Sequence, residues 1–278
     1  MNDIEEQRHY FVTKSNEFYR PQLPNTLIGL IQKCGAELTL AELKFVGFLI
    51  SKVKPGDKEL QEYPFSVREF CEVCGMAYKS GKNYERIQKM IKQLADKSEW
   101  VKDEAGRKIL FRWIETPIFD QLNSKILVRL NPLLTKYLLQ LHGRYFQYEF
   151  IFTLPLKSAY SYRLYELARS YSDKGEFEWP IEELRKFLCV PEGYDYKEFN
   201  RKAIKRPVEE INKYTDLRLT VEPIREQRRV VRLKITVEKL DYFERDKNYQ
   251  RTKKELDGTE QIPGQMELND YLQKGETK

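Results

Sequence analysis

One order of hydrophobic periods occurs twice along this chain, and that recurrence limits its fold more than any other feature. At the first occurrence a capping box opens a helix: Thr39 is followed three positions later by Glu42, and apolar residues fall at Leu40, Leu43, Val46, Leu49, Ile50 and Val53. "KPGDK" ends it. "YPFSVREFCEVCG" predicts a short strand leading to a short helix capped by Ser66, and a "YKSGKN" turn leads to a longer helix over Asn83 to Asp96. On that helix Tyr84, Ile87, Ile91 and Leu94 share one face, with Lys82, Arg86, Lys89 and Gln93 on another. "EWVKD" and "RKILFRWIE" then form two strands joined about Glu104, Ala105 and Gly106.

The order restarts after a connecting stretch. "PLKSAYSYRLYELARSY" reads as a long helix, "EFEW" as a short strand, "PIEELRKFLCV" as a short helix with Pro180 near its start, and "KEFNRKAIKRPVEEINKYT" as the longer one. "LRLTVEPI" and "RVVRLKITVE" close as a second hairpin through "REQR". The flanking pieces are an extended lead-in "YFVTKSNEFY", a helix "PNTLIGLIQKCG" closed by Gly35, a strand "KILVRL" and a helix "PLLTKYLLQL" opened by Pro132. Helix, short helix, longer helix and hairpin is the order of a winged helix. The expected class is therefore α+β, with two tandem winged-helix domains over residues 1–145 and 146–240. From 241 to 278 the composition turns to Lys, Glu, Asp, Asn and Gln, which predicts a charged, mobile tail.

Charge is concentrated in the second module. The whole chain carries 49 Lys and Arg against 43 Asp and Glu, a formal +6. Residues 201–234 alone hold eleven cations against five anions, also +6, so the remainder is close to neutral. With Ile204, Val208 and Ile211 turned inward, Lys202, Lys205, Arg206 and Lys213 point away from the core. Pro207 removes one helical hydrogen bond and predicts a bend or a division, so that the part before it projects at its own angle. In a winged helix this part enters a major groove, where Arg and Lys reach guanine edges, while a hairpin tip such as "REQRR" lies on phosphates or in a minor groove. The candidate DNA-binding residues are Asn200, Arg201, Lys202, Lys205 and Arg206 for bases, with Arg225, Arg228 and Arg229 as backbone anchors. Lys82, Asn83, Arg86 and Lys89 form a weaker counterpart in the first module, where a packing or dimerisation role is the alternative.

Four stretches carry a resemblance to a known family: "VTKSNEF", "LTLAELKFVGFLISKV", "YSYRLYELARSY" and "FNRKAIKRPVEEINKYTDLRL". Over about residues 10 to 240 the chain resembles the iteron-binding replication initiators of bacterial plasmids, whose two winged-helix domains follow the order read above. The resemblance implies binding to repeated double-stranded DNA sites at a plasmid origin, melting of an A·T-rich segment, recruitment of host initiator and helicase proteins, and a homodimer that represses its own gene. It places the family's recognition-helix cations on Arg201, Lys202, Lys205 and Arg206, with Asn200 where some members carry another cation. A transcriptional repressor of the same architecture is the nearest rival. A protein-interaction scaffold, or a nuclease with unrecognised carboxylates, is the rival of another class.

Other chemistries lack their residues. "GMAYKSGKN" imitates a phosphate loop, but five residues separate Gly75 from Gly81 and Asn83 replaces the metal-binding Ser or Thr. "CEVC" at 71–74 has ligand spacing without a second pair, since only Cys34, Cys189, His9 and His142 remain. Two isolated histidines do not make the metal cluster a nicking tyrosine needs. The expectation is a protein with no catalytic residue, metal or cofactor. No run nears the roughly 18 apolar residues of a membrane span, and "MNDIEEQRHYF" is too acidic for a leader, which predicts a bacterial cytoplasmic protein without a membrane partner.

Overall fold

The structure, a computed structural model, describes residues 10–19, 38–54, 56–78, 80–102, 106–141 and 145–257. The helix expected over 24–35 lies outside these residues, as do Glu104 and Ala105.

Both modules form in the expected order. In the first, α1 (Leu40–Ser51) starts at Thr39, whose side chain accepts the Glu42 N–H at 3.3 Å while the Glu42 carboxylate accepts the Thr39 N–H at 2.8 Å. Then come β2 (Glu62–Phe65) and α2 (Val67–Val73), the latter capped by Ser66. Next is α3 (Ser80–Asp96), followed by a two-stranded wing of β3 (Ser98–Lys102) and β4 (Lys108–Arg112). β5 (Ile118–Asp120) and β6 (Lys125–Arg129) complete a sheet of order β2-β6-β5. The helix expected from Pro132 is only a 3-10 turn, Pro132–Leu134, and one α turn, α4 (Thr135–Leu138).

The strand preceding both modules, β1 (Phe11–Ser15), pairs antiparallel with β7 (Tyr145–Glu149), so the expected boundary at 145/146 falls on the first residue of β7. α5 (Ala159–Tyr171) opens the second module from a Ser158 cap. β8 (Glu176–Pro180), α6 (Ile181–Leu188), the compound third helix described below, β9 (Leu217–Glu226) and β10 (Arg229–Lys239) follow. The sheet order is β8-β10-β9. β9 is thus an edge strand, where Pro223 costs no ladder bond.

One apolar core spans both modules, with α1 at its centre. The sequence marks a single apolar stripe on this helix, yet Ala41, Phe45 and Phe48 on the opposite side are also buried. Phe45 and Phe48 meet Phe65 and Phe70 edge-on, with centroids 5.1–5.9 Å apart. Gly47 faces the second module. A Cβ there would collide with the Tyr162 hydroxyl and come within 2.9 Å of the Phe150 ring, so only a glycine allows the two helices this approach. Polar groups bind the same junction: Glu166 on α5 accepts hydrogen bonds from Lys14, Tyr19 and Tyr148, all buried.

Residues 242–257 correct the expectation of a mobile tail. They form α9 (Tyr242–Asp257), docked against the end of the third helix by polar side chains. Asn248 donates to the Thr215 carbonyl at 2.8 Å, Thr252 to Tyr214 at 3.0 Å, and Arg251 to Lys213 at 2.7 Å. Those carbonyls end a helix and lack helical partners, so a polar composition is what docking here requires. Among the described residues no helix is long and apolar enough to cross a membrane.

Candidate nucleic-acid interface

The third helix of the second module is built in three parts without a break: α7 (Tyr196–Phe199), a π turn over Asn200–Lys205, and α8 (Arg206–Tyr214). α6 stops at Cys189, whose φ of 59° is left-handed. Asp195 caps the new helix by accepting the Glu198 N–H at 2.7 Å. Arg185 donates to the Tyr194 carbonyl and lies 5.0 Å from the Phe199 ring centroid, which ties the turn to the helix after it. In the π turn the Arg206 N–H reaches back five residues to the Arg201 carbonyl. Pro207 follows, buried and without a donor of its own.

The eleven cations of 201–234 divide by their partners. Lys202 is held by Glu198 at 2.9 Å and lies 4.2 Å from the Tyr194 ring. The Glu198 hydrogen bond and then Tyr194 raise its pKa above the ordinary lysine value. Lys213 rests over Tyr214. Lower on the sheet, Arg232 meets Glu178 at 3.5 Å, Lys234 meets Glu176 at 2.9 Å, and Arg218 bridges Glu238 and Glu244. The remaining six, Arg201, Lys205, Arg206, Arg225, Arg228 and Arg229, are exposed, and none makes an ion pair with a carboxylate among the described residues. Neutralisation is thus complete at the base of the wing and absent at its tip, and on the first half of the helix it reaches Lys202 but not Arg201, Lys205 or Arg206.

An asparagine side chain ties the wing to the helix. Asn212 on α8 exchanges both its amide bonds with Leu219 on β9, at 2.7 and 3.0 Å. Tyr196, at the helix start, has its phenol pushed up by burial, and the charge of Arg225 on the wing opposes that shift. The tip is tighter than "REQR" suggests: Glu226 pairs with Arg229, leaving Gln227 and Arg228 as the turn, with Gln227 at φ 53°. Beneath it the register slips between Val230 and Arg232, a bulge that adds twist to the hairpin. The role of Asn212 was not legible in the sequence, because the residue does not stand out until its partner strand is placed.

In the first module the corresponding set is thinner. Lys82 is exposed, Arg86 and Lys89 are half-buried, and Asn83 is 5% exposed. Asn83 is corrected as a surface group, because α3 begins at Ser80 rather than Asn83 and its first turn carries that side chain inward. The "GMAYKSGKN" stretch is a helix end followed by a helix start. Met76 N–H bonds to the Cys71 carbonyl at 2.7 Å, with Gly75 at φ 61°. Cys71 on α2 and Cys74 at its C-terminal cap are both buried. Burial pushes the Cys71 thiol up to about 11 and raises Cys74 further, so both pack as neutral thiols at pH 7.

Residues 24–169 match the family model described as "Initiator Replication protein, WH1", and residues 180–237 match "Initiator Rep protein, WH2". Among solved structures the chain is similar to one described as the crystal structure of Pi initiator protein in complex with iteron DNA. That match has 17% identity and a TM-score of 0.64, and it covers 84% of this chain and 98% of the other. At this identity the likeness establishes the fold alone. No curated protein matches the chain in sequence.

Proposed function

The chain belongs to the initiator replication protein family of plasmid replication initiators, and from that premise we propose that it reads repeated duplex sites, iterons, at a plasmid origin. Arg201, Lys205 and Arg206 approach base edges in a major groove, and Arg225, Arg228 and Arg229 hold the adjacent phosphates. Lys202 and Asn200 border this set, with Lys202 released from Glu198 when a phosphate competes for it. Lys82, Arg86 and Lys89 add backbone contacts from the first module. The observation that carries the reading is the sorting of charge: six exposed cations on one helix and its wing make no ion pair among the described residues, while Lys202, Arg218, Arg232 and Lys234 beside them do.

At the origin the bound protein recruits host initiator and helicase proteins, and a homodimeric state represses its own gene, all within the bacterial cytoplasm. It performs no covalent step.

Footprinting on DNA flanking the gene tests the reading, followed by titration of the protected site across a salt series. The three wing arginines alone should contribute about 2.7 to the slope of log K against log salt, at about 0.9 per phosphate. Uniform binding without a protected site would overturn site recognition. Continued replication of a minimal replicon lacking the gene would leave a repressor instead.

A further inference from the structure

We infer that the π turn at Asn200–Lys205 sets the base-reading register, and that Pro207 is the positioning residue that holds it. The inference rests on the DNA-reading assignment above and names what gives that helix its specificity. Buried side chains along the helix are Phe199, Ala203, Ile204, Pro207, Ile211 and Tyr214. Counting back from Ile211 in steps of about 3.6 residues gives 207, 204 and then 200, so an unbroken α-helix would turn Asn200 inward. Phe199 is buried instead, completely, beneath Arg185. The face has slipped by one residue, and the slip lies within the π turn.

The slip acts on the cations. At about 100° per residue, Arg201 and Arg206 would stand about 140° apart around an α-helix, and Arg201 would edge toward the core. The five-residue hydrogen bond from Arg206 N–H to Arg201 C=O puts them about one turn apart instead, one above the other. Arg201, Lys205 and Arg206 are all exposed, as this spacing requires. One groove can then receive all three. A π turn is rare because it gives poor packing along its axis, and it competes with the α-helical bond from the Arg206 N–H to the Lys202 carbonyl. In a regular α-helix the Pro207 ring would strike the Ala203 carbonyl four residues back. The proline therefore disfavours the α-helical alternative, and the wider turn relieves the clash.

The test compares the full-length protein with its Pro207→Ala variant on a duplex carrying the footprinted site and on random duplex. The cognate-to-random ratio should fall about tenfold or more, the value of one well-made bidentate base contact, while random binding stays within about twofold. A double-mutant cycle separates positioning from general weakening. Arg201→Ala should cost its full share of cognate affinity in the wild type and little in the Pro207→Ala background, whereas Arg228→Ala on the wing should cost the same in both. Pro207→Val, which keeps a branched apolar side chain over the core, replaces the alanine variant if circular dichroism shows that the latter has lost its fold. An unchanged ratio with an undiminished Arg201 cost would overturn the inference and leave DNA reading intact. A wild-type protein with no site preference would overturn both.

Discussion

The ammonium of Lys14 on β1 lies 2.5 Å from the carboxylate of Glu166 on α5, joining the strand that precedes the first module to the helix that opens the second. Both are buried, at 7% and 4% exposure, and the same carboxylate also accepts the Tyr19 hydroxyl at 2.6 Å. Glu166→Gln removes one charge and strands the other, which should destabilise the protein by about 3–5 kcal/mol in urea denaturation. The double variant Lys14→Met/Glu166→Gln removes the stranded charge while keeping an acceptor for the Tyr19 and Tyr148 hydroxyls, and should recover much of that loss. A loss of less than about 1 kcal/mol in the single variant would mean the pair does not hold the junction.

Gly47→Ala should cost about 1–3 kcal/mol, since the added methyl overlaps Tyr162 and Phe150 in a closed core. Tyr162→Phe removes the colliding hydroxyl and should restore part of the stability in the double variant. Thermal melts of the four proteins measure this, and additive losses would contradict the contact.

Arg206→Ala should weaken binding to the protected site by about 1–3 kcal/mol and to random DNA much less. Arg228→Ala with Arg229→Ala should instead weaken both equally and lower the salt slope by about 1.8. Equal losses from Arg206→Ala would reassign it to the backbone.

Asn248→Ala should cost about 1–3 kcal/mol, because it leaves the buried Thr215 carbonyl without its donor. Hydrogen exchange should then rise at the end of α8. Unchanged protection there would show that α9 is held by other contacts.

Stability should fall as the pH rises above about 10. Burial, and next the charge of Glu166, raise the phenols of Tyr19, Tyr148 and Tyr162 well above that value; burial and Asp216 do the same for Tyr165. In that range the unfolded chain has lost phenolic protons that the folded chain keeps, so it binds fewer protons and each further pH unit favours it. The contribution is intact below about pH 10. Melting temperatures from pH 8 to 11 check the sign, and Tyr165→Phe should make the decline shallower.

Locally encoded features were legible before any coordinates. The Thr39–Glu42 box, the Ser66 cap and the alternation in β9 and β10 each depend on residues a few positions apart. Features that depend on distant partners were not. Nothing near α1 signals that Phe45 and Phe48 will be covered as fully as Leu40 and Val46, because the covering groups come from other elements. α9 was hidden by its polar composition, whose Asn248 and Thr252 acquire meaning only beside the carbonyls of residues 214 and 215. The cations of the second module were visible as a cluster, but which of them are neutralised depends on Glu176 and Glu178, far away in sequence on β8. Pro207 announced an interruption, and the burial of Phe199 decided that it would be a π turn rather than a kink.

The shared core makes the molecule a caliper. With α1 wedged between the modules at a glycine, the span from α3 to α8 is fixed before any target is met. On the proposed reading, in which both helices dock on one duplex, a target lengthened by one base pair between them would move one of them about 3.4 Å along the axis and about 35° around it, beyond what side chains can follow. The DNA must then bend or twist to close that gap, and the sequences easiest to deform would be the ones tolerated at the inserted step.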